Sequence, residues 1–417
     1  MSNRKVPTLL SVNNYYYRRG GAEVVFLEHN RLFSDASWNV VPFAMRHSLN
    51  LDSDWSHHFV DEIEFGSSYS GLETLRKAGK SVFSLEARRK IAELIDEIRP
   101  DVCHGHNIYH HISPAILPVI ARRGIPVFLT LHDLKIACPA YLMLSHGEVC
   151  ERCKGGKLYH VATRRCMKGK SSLSILVMLE AYLHKFLKSY ENNVTRFIVP
   201  SNFYIGKFIE WGFAPNSFVH VPNFVDAHMF APDFAPGKRF VYFGRLSREK
   251  GIATLIDAAA EAGIGLDVIG TGPLEKDLKS RVASVGSDVK FLGFLSGEAL
   301  HNAIRTARAV VLPSQWYENA PLSVLEAYAL GKPVLGSDMG GIPELVREGE
   351  TGSIFKANSV IDLARSLDSF ASMPDSDVIS YGRAGRALAM NEYSPAHYVE
   401  RISSIYAEAG VSPTKIQ

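Results

Sequence analysis

Short apolar runs alternate with helix-period stretches along nearly the whole chain, and that rhythm constrains the fold more than any other feature. Val6–Val12, Trp38–Ala44, Val102–Gly105 and Val127–Leu131 read as buried strands, with helical patterns such as Ala22–Phe33 and Leu85–Ile98 between them. Apolar strands separated by amphipathic helices predict βαβ units, that is, parallel sheets with helices on both faces. The series breaks at residues 215–237, where Pro215, Pro222, Pro232 and Pro236 fall among Phe, Asn and Asp. It then restarts with strands Phe240–Phe243, Leu266–Ile269, Val289–Leu292, Ala309–Leu312 and Pro333–Gly336. Helices Ile252–Ala262, Leu274–Val285, Gly297–Thr306 and Pro321–Leu330 lie between them. The expectation is an α/β protein of two doubly wound halves joined by a Pro-rich linker, and 417 residues suffice for two cores. Ligands in such sheets sit at the carboxyl ends of the strands, so the cleft between the halves is the expected active site.

Charge and segment composition exclude other classes. Lys and Arg total 46 against 43 Asp and Glu, a net charge of +3, which argues against a protein that coats nucleic acid. After Arg4 and Lys5 the apolar stretch to Val12 is interrupted by Pro7 and Thr8, and no small-residue cleavage site follows, so no secretory signal is expected. The best apolar run elsewhere, Ile175–Leu179, is far short of a membrane span. A cytoplasmic protein is expected, with peripheral contact at the inner face of the membrane as an open question. Five cysteines fit that setting. Cys103 stands alone, while Cys138, Cys150, Cys153 and Cys166 cluster around a C-x2-C pair. Four thiolates so spaced can satisfy a tetrahedral structural zinc; unlinked thiols and disulfides are the other two readings.

The chemistry-bearing residues gather at strand ends. Strand Phe240–Phe243 runs into Gly244-Arg245-Leu246, with Lys250 and Gly251 a few residues on. Arg245 and Lys250 there can converge on one anion, Arg through a bidentate fork and Lys as a point charge, or they can stand in a solvated turn. After strand Ala309–Leu312 the segment Ser314 to Glu326 carries Trp316, Tyr317, Glu318, Asn319 and Pro321. Pro321 opens a helix, a position it tolerates well. The amides of Asn319, Ala320 and Leu322 then face outward with the positive end of the helix dipole, which suits a phosphate. Glu318 and Glu326 can accept hydrogen bonds from sugar hydroxyls; helix capping and a surface ion pair are the structural alternatives.

These motifs together resemble the signature of retaining GT-B glycosyltransferases of family four. Glu318 and Glu326 have seven residues between them within Ser-Gln-Trp-Tyr-Glu-Asn-Ala-Pro and Glu-Ala. The likeness continues in Val221-Pro222-Asn223 with Asp226, in Ile269-Gly270-Thr271-Gly272-Pro273-Leu274, in Leu292-Gly293-Phe294 and in Gly331-Lys332-Pro333-Val334. The first half contributes Gly20-Gly21-Ala22-Glu23, His104-Gly105-His106-Asn107 and Leu131-His132-Asp133. The resemblance implies two Rossmann-like domains facing across a cleft. Residues 1–222 would form the acceptor side, with 394–417 packing back on it, and 223–393 the donor side. It implies that Arg245 and Lys250 hold a donor diphosphate, that Glu326 holds the ribose, and that Glu318 with the following amides contacts the transferred sugar. Gly20 and Gly21 would close over phosphate and sugar, and His132 would touch the sugar from the acceptor side. Asn223, Gly272 and Phe294 would complete the donor site.

The implied activity is transfer of a sugar from a UDP- or GDP-sugar to a glycan or lipid-linked acceptor, without a catalytic metal, in cell-surface polysaccharide or lipopolysaccharide assembly. A nucleotide-sugar epimerase and a catalytically silent nucleotide-sugar-binding scaffold are the alternatives. Asp52-Ser53-Asp54 and Asp375-Ser376-Asp377 match the metal-binding D-x-D of another transferase class, but Asp/Ser clusters are usually turns. Helix Leu173–Ser189, rimmed by Arg164, Arg165, Lys168, Lys170, Lys185 and Lys188, reads as core-packed with a basic rim or, compatibly, as resting on an anionic membrane.

Overall fold

The computed structural model describes residues 6–62 and 78–411, so Arg4, Lys5 and residues 412–417 of the C-terminal segment lie outside it. β1 (Thr8–Val12), β2 (Asn39–Phe43), β3 (Val102–Gly105) and β4 (Val127–Thr130) are followed by a small hairpin, β5 (Leu144–Ser145) and β6 (Glu148–Val149). β7 (Arg196–Val199) and β8 (Phe218–His220) come next. A parallel sheet joins these strands, the hairpin excepted, in the order β2-β1-β3-β4-β7-β8. A second parallel sheet contains β9 (Phe240–Phe243), β10 (Leu266–Ile269), β11 (Val289–Gly293), β12 (Val310–Leu312), β13 (Val334–Ser337) and β14 (Gly352–Phe355). Its order, β11-β10-β9-β12-β13-β14, is the dinucleotide-fold pattern.

The strands form where the apolar runs predicted them, because helices cover both faces and leave every position of β1, β3, β4 and β12 buried. One expectation is corrected. The Pro-rich stretch is not all linker: Phe218–His220 pairs with β7 as the last strand of the first sheet. Three residues are too few to show a period, but Phe218 stacks with Phe197 and Phe208 at centroid distances of 5.3 and 5.4 Å, and that burial holds the edge strand. A smaller correction concerns Pro321, which is the N-cap of helix Leu322–Ala329 rather than its first residue. β7 and β14 were not anticipated.

Helix Pro395–Glu408, capped by Ser394, packs on the first sheet although it follows the second in sequence. Tyr398, Ile402 and Tyr406 are buried with Leu9, Phe33 and Phe128. Tyr398 Oη lies 2.9 Å from His29 Nδ1, and Tyr406 Oη 2.5 Å from His104 Nδ1. Strand order reverses between β1 and β3 in one sheet and between β9 and β12 in the other. The loops leaving these switch points carry the site.

Candidate active site

On the second sheet, β9 runs into Gly244, whose φ of 150° is open to glycine. The following turn lies backbone to backbone on residues 270–272. Leu246 N–H donates to Thr271 O at 3.0 Å and Leu274 N–H to Leu246 O at 3.1 Å. A Cβ on Gly272 would collide with the Leu246 carbonyl. This close approach leaves the Arg245 side chain exposed at the strand end, where among the described residues only its backbone carbonyl is hydrogen-bonded, accepting from Tyr242 Oη at 2.9 Å and from Ser247 N–H at 3.0 Å.

β12 delivers the other wall. Three donors converge on Oε1 of the buried Glu318: Lys250 Nζ at 2.6 Å, Ser314 Oγ at 2.6 Å and Trp316 Nε1 at 2.9 Å. Burial pushes this carboxyl up, but Lys250 and the hydrogen bonds outweigh it and hold it below the usual carboxylate range. Glu318 is therefore ionised, its Oε2 takes no donor among the described residues, and it does not cap the helix. The amides of Asn319, Ala320 and Leu322 donate to no protein acceptor among the described residues, so the positive end of helix Leu322–Ala329 is unspent. Glu326 sits on that helix without an ion pair among the described residues, and burial pushes its carboxyl up to about 7. Phe294, just past β11, is 74% exposed.

On the first sheet, Asn14 and Asn107 follow β1 and β3 and line a cavity of about 500 Å³ with Arg19, Glu23, Tyr109, Asp133 and Tyr141. His132 stands just beyond β4, its Nε2 2.8 Å from Nδ1 of the buried His106. Burial lowers His132 to about 4 and holds His106 well below its ordinary value, so both are neutral at pH 7. Among the described residues, Nε2 of His106 has no hydrogen-bond partner. A buried lone pair is better tolerated unpaired than a buried N–H, which assigns the shared proton to His106 Nδ1 and leaves His132 protonated at Nδ1. Burial raises Asp133 to about 6 although Lys135 N–H donates to it at 2.9 Å. Gly20 has extended backbone and Gly21 opens helix Gly21–Asp35. A Cβ on Gly21 would reach only ordinary contact with Leu322 Cδ1 at 3.6 Å, so protein packing alone does not demand glycine there.

Residues of the first half, together with Asn223 just after it, clamp the Glu318 loop. Asn319 Nδ2 donates to Leu131 O at 2.9 Å and its Oδ1 accepts from Ser201 Oγ at 2.8 Å. Asn223 Nδ2 donates to Ala320 O at 2.7 Å, and Tyr204 Oη to Tyr317 O at 2.9 Å. Asn223 and the Asn319 side chain thus hold the loop itself. Gly21, His132, Lys250, Glu318, Asn319, Ala320 and Leu322 are brought to one place by these contacts. Arg19, Tyr109 and Tyr141 were missed: each lies in a loop without periodicity. Cys138, Cys150, Cys153 and Cys166 share the lining of one small cavity and form no disulfide. Neither D-x-D sits at a strand end: Asp52–Asp54 lies in an irregular loop and Asp375 opens helix Asp375–Asn391.

A family model described as Glycosyltransferase Family 4 matches residues 19–228, half of the chain, and one described as glycosyl transferases group 1 matches residues 227–386. The chain belongs to glycosyltransferase family 4. This family 4 member is 29% identical over 178 residues to alpha-D-kanosaminyltransferase of Streptomyces kanamyceticus, covering 41% of this chain and 46% of that protein. It is 28% identical over 213 residues to phosphatidyl-myo-inositol mannosyltransferase of Mycobacterium leprae, covering 48% and 56%. The matches span about half the length of these curated relatives. Among solved structures, Anabaena Alr3699/HepE in complex with UDP and glucose superposes with a TM-score of 0.66 at 18% identity, covering 96% of this chain and all of that one. That likeness establishes the GT-B fold of two Rossmann-like halves.

Proposed function

We propose that this family 4 protein is a retaining glycosyltransferase that moves a hexosyl group from a UDP- or GDP-sugar to a glycan or lipid-linked acceptor in cell-surface polysaccharide or lipopolysaccharide assembly. One observation carries the reading: the unspent amides at Asn319–Leu322, the ionised Glu318 with its Lys250 partner, and the exposed Arg245 lie at strand ends of one sheet, clamped against the His132 side of the other. The C1–O bond to the diphosphate breaks with its electrons going to the departing phosphate oxygen. Arg245, Lys250 and the helix end stabilise that charge in advance, without calling on a metal. The acceptor oxygen bonds to C1 from the same face, and its proton passes to the departing phosphate oxygen. Glu326 and Phe294 take the ribose and base, Gly272 holds the Arg245 turn in place, and Gly20 and Gly21 leave room over the sugar. The acceptor enters through the cavity beside Asp133 and Tyr141.

Helix Ser171–Phe186 supports work at a membrane surface. It buries Glu180 and His184 while Ile175, Leu179, Tyr182 and Phe186 stand exposed at i, i+4, i+7 and i+11. Lys168, Lys170, Lys185 and Lys188 stand exposed at the two ends of this helix, and Leu173, Leu176 and Val177 of the same helix line the acceptor-side cavity. No helix among the described residues is long and apolar enough to cross a membrane.

A thermal-shift panel of UDP, GDP and their sugars tests the assignment, because a ligand that binds the native state raises its midpoint. One nucleotide series should shift the wild type and lose its effect in Arg245→Ala and Glu326→Ala. No shift with any nucleotide would count against transferase and scaffold alike, whereas binding without sugar transfer would favour the scaffold. Anomeric proton NMR of the product then reads retention directly.

A further inference from the structure

Between β4 and helix Ser171–Phe186 the chain makes a long excursion whose only regular pieces are the β5–β6 hairpin, a turn at Lys154–Gly156 and the single helical turn His160–Thr163. Loops of that length without a sheet or long helix are uncommon in a compact domain. Four cysteines stand where a core would be. Cys138 and Cys153 are buried, Cys150 and Cys166 half-buried, and all four line one small cavity of about 10 Å³. Cys103, the fifth, lies apart in β3.

The cluster has the local build of a thiolate knuckle. The C-x2-C pair is followed by a tight turn in which Gly155 and Gly156 have φ of 70° and 82°, left-handed positions that glycine adopts freely. Arg164 and His160 complete the lining. The guanidinium offsets the net negative charge that four thiolates retain around a divalent ion. The space suits an ion and scarcely a water, which needs roughly 10–15 Å³. Among the described residues only two histidine-containing triads, His29–His104–His106 and His57–His58–Glu97, have ligand atoms mutually within 4.8 Å. The sulfurs stand wider, so coordination at about 2.3 Å draws the loop inward. His104 of the first triad already engages Tyr406 Oη and Thr130 Oγ1 through its two ring nitrogens, which leaves it no lone pair to spare.

We infer that Cys138, Cys150, Cys153 and Cys166, gathered around one small cavity, bind a single structural zinc ion. All four tetrahedral positions are protein ligands, so the ion has no open site for chemistry. Its effect on the reaction is mechanical. Glu151, between the two cysteines of the pair, accepts from Lys207 Nζ at 2.9 Å and from Tyr317 Oη at 2.9 Å. Tyr317 directly precedes Glu318. At the hairpin, Gly147 is so close to the Arg248 guanidinium that a Cβ would collide with it. The knuckle therefore ties the acceptor side to both loops of the donor side.

The test uses the full chain purified under reducing conditions without chelator. Elemental analysis should find about one zinc per chain, retained in Cys103→Ser and reduced at least about tenfold in Cys150→Ser/Cys153→Ser. Because that variant can misfold, the wild type also carries the test. Exchange for cobalt(II) should give the intense visible bands and sulfur-to-metal charge transfer of a tetrahedral four-thiolate site. Chelation should lower the unfolding midpoint and make four more thiols reactive. Zinc-free wild type with these thiols freely titrating overturns the inference. So does a mass lower by four hydrogens, which would mean two disulfides.

Discussion

Acidification should weaken donor binding through one carboxyl group, Glu326. Burial holds it at about 7 with no cation to offset the effect, so near neutrality it is half protonated. If the carboxylate is the form that accepts the ribose hydroxyls, the apparent donor dissociation constant carries the factor 1 + 10^(7 − pH). That factor is about 11 at pH 6 and about 1.1 at pH 8, a change of roughly tenfold or about 1.4 kcal/mol. The assay is the donor KM at saturating acceptor across this range. Saturating acceptor matters because Asp133, at about 6, lines the acceptor-side cavity and titrates in the same window. His132, at about 4, and Glu318, held below its ordinary range, keep one state throughout. Glu326→Gln should abolish the dependence. A flat wild-type profile, or an equal slope in the Gln variant, refutes the role given to Glu326.

Other consequences concern stability, the Arg245 turn and the membrane face. Protonated Glu326 favours the folded state: its contribution is complete below the ordinary value of 4.5 and is lost as pH rises through about 7. The thermal advantage of Glu326→Gln over wild type should therefore be larger at alkaline than at acid pH, and an equal difference at both would contradict this. Lys250→Met leaves the buried Glu318 carboxylate unpaired and should cost about 2 kcal/mol in urea unfolding at neutral pH, discounted for the partial exposure of the lysine. The depressed Glu318 value gives wild type stability that disappears as pH falls, so the deficit should shrink in acid; wild-type stability at neutral pH would count against the pairing. Gly272→Ala forces a methyl into the Leu246 carbonyl and should cost about 1–3 kcal/mol while raising donor KM more than acceptor KM. Phe186→Ser with Leu179→Ser should weaken binding to anionic vesicles at least about tenfold in a flotation assay, with little change in folding. Equal binding to neutral vesicles would argue for a different partner at that face.

Much of the architecture was legible because parallel strands covered on both faces are uniformly apolar, and the helices between them keep one period. β3, β9 and β10 begin and end where the runs predict. β8 escaped because three residues between prolines carry no period, and only the aromatic cluster around Phe218 reveals their burial. The site divides along the same line. Residues at strand ends, such as Arg245, Glu318 and His132, announce themselves through their position after an apolar run. Arg19, Tyr109 and Tyr141 meet only through tertiary folding of irregular loops. The partner of Lys250 was equally hidden, since its link to Glu318 bridges β9 and β12, strands far apart in sequence. The exposed apolar face of helix Ser171–Phe186 was obscured by its composition, because the hydrophobic residues that suggest a core point outward and Glu180 points in.

Calorimetric titration of wild type and Arg245→Ala with UDP and with GDP probes the diphosphate grip at its source. The wild type should bind one nucleotide with clear preference, and removing the guanidinium should weaken that binding at least about tenfold, the worth of a charge-assisted contact. Equal affinity in the two proteins, or no binding by the wild type, would contradict a donor site at the ends of β9 and β12.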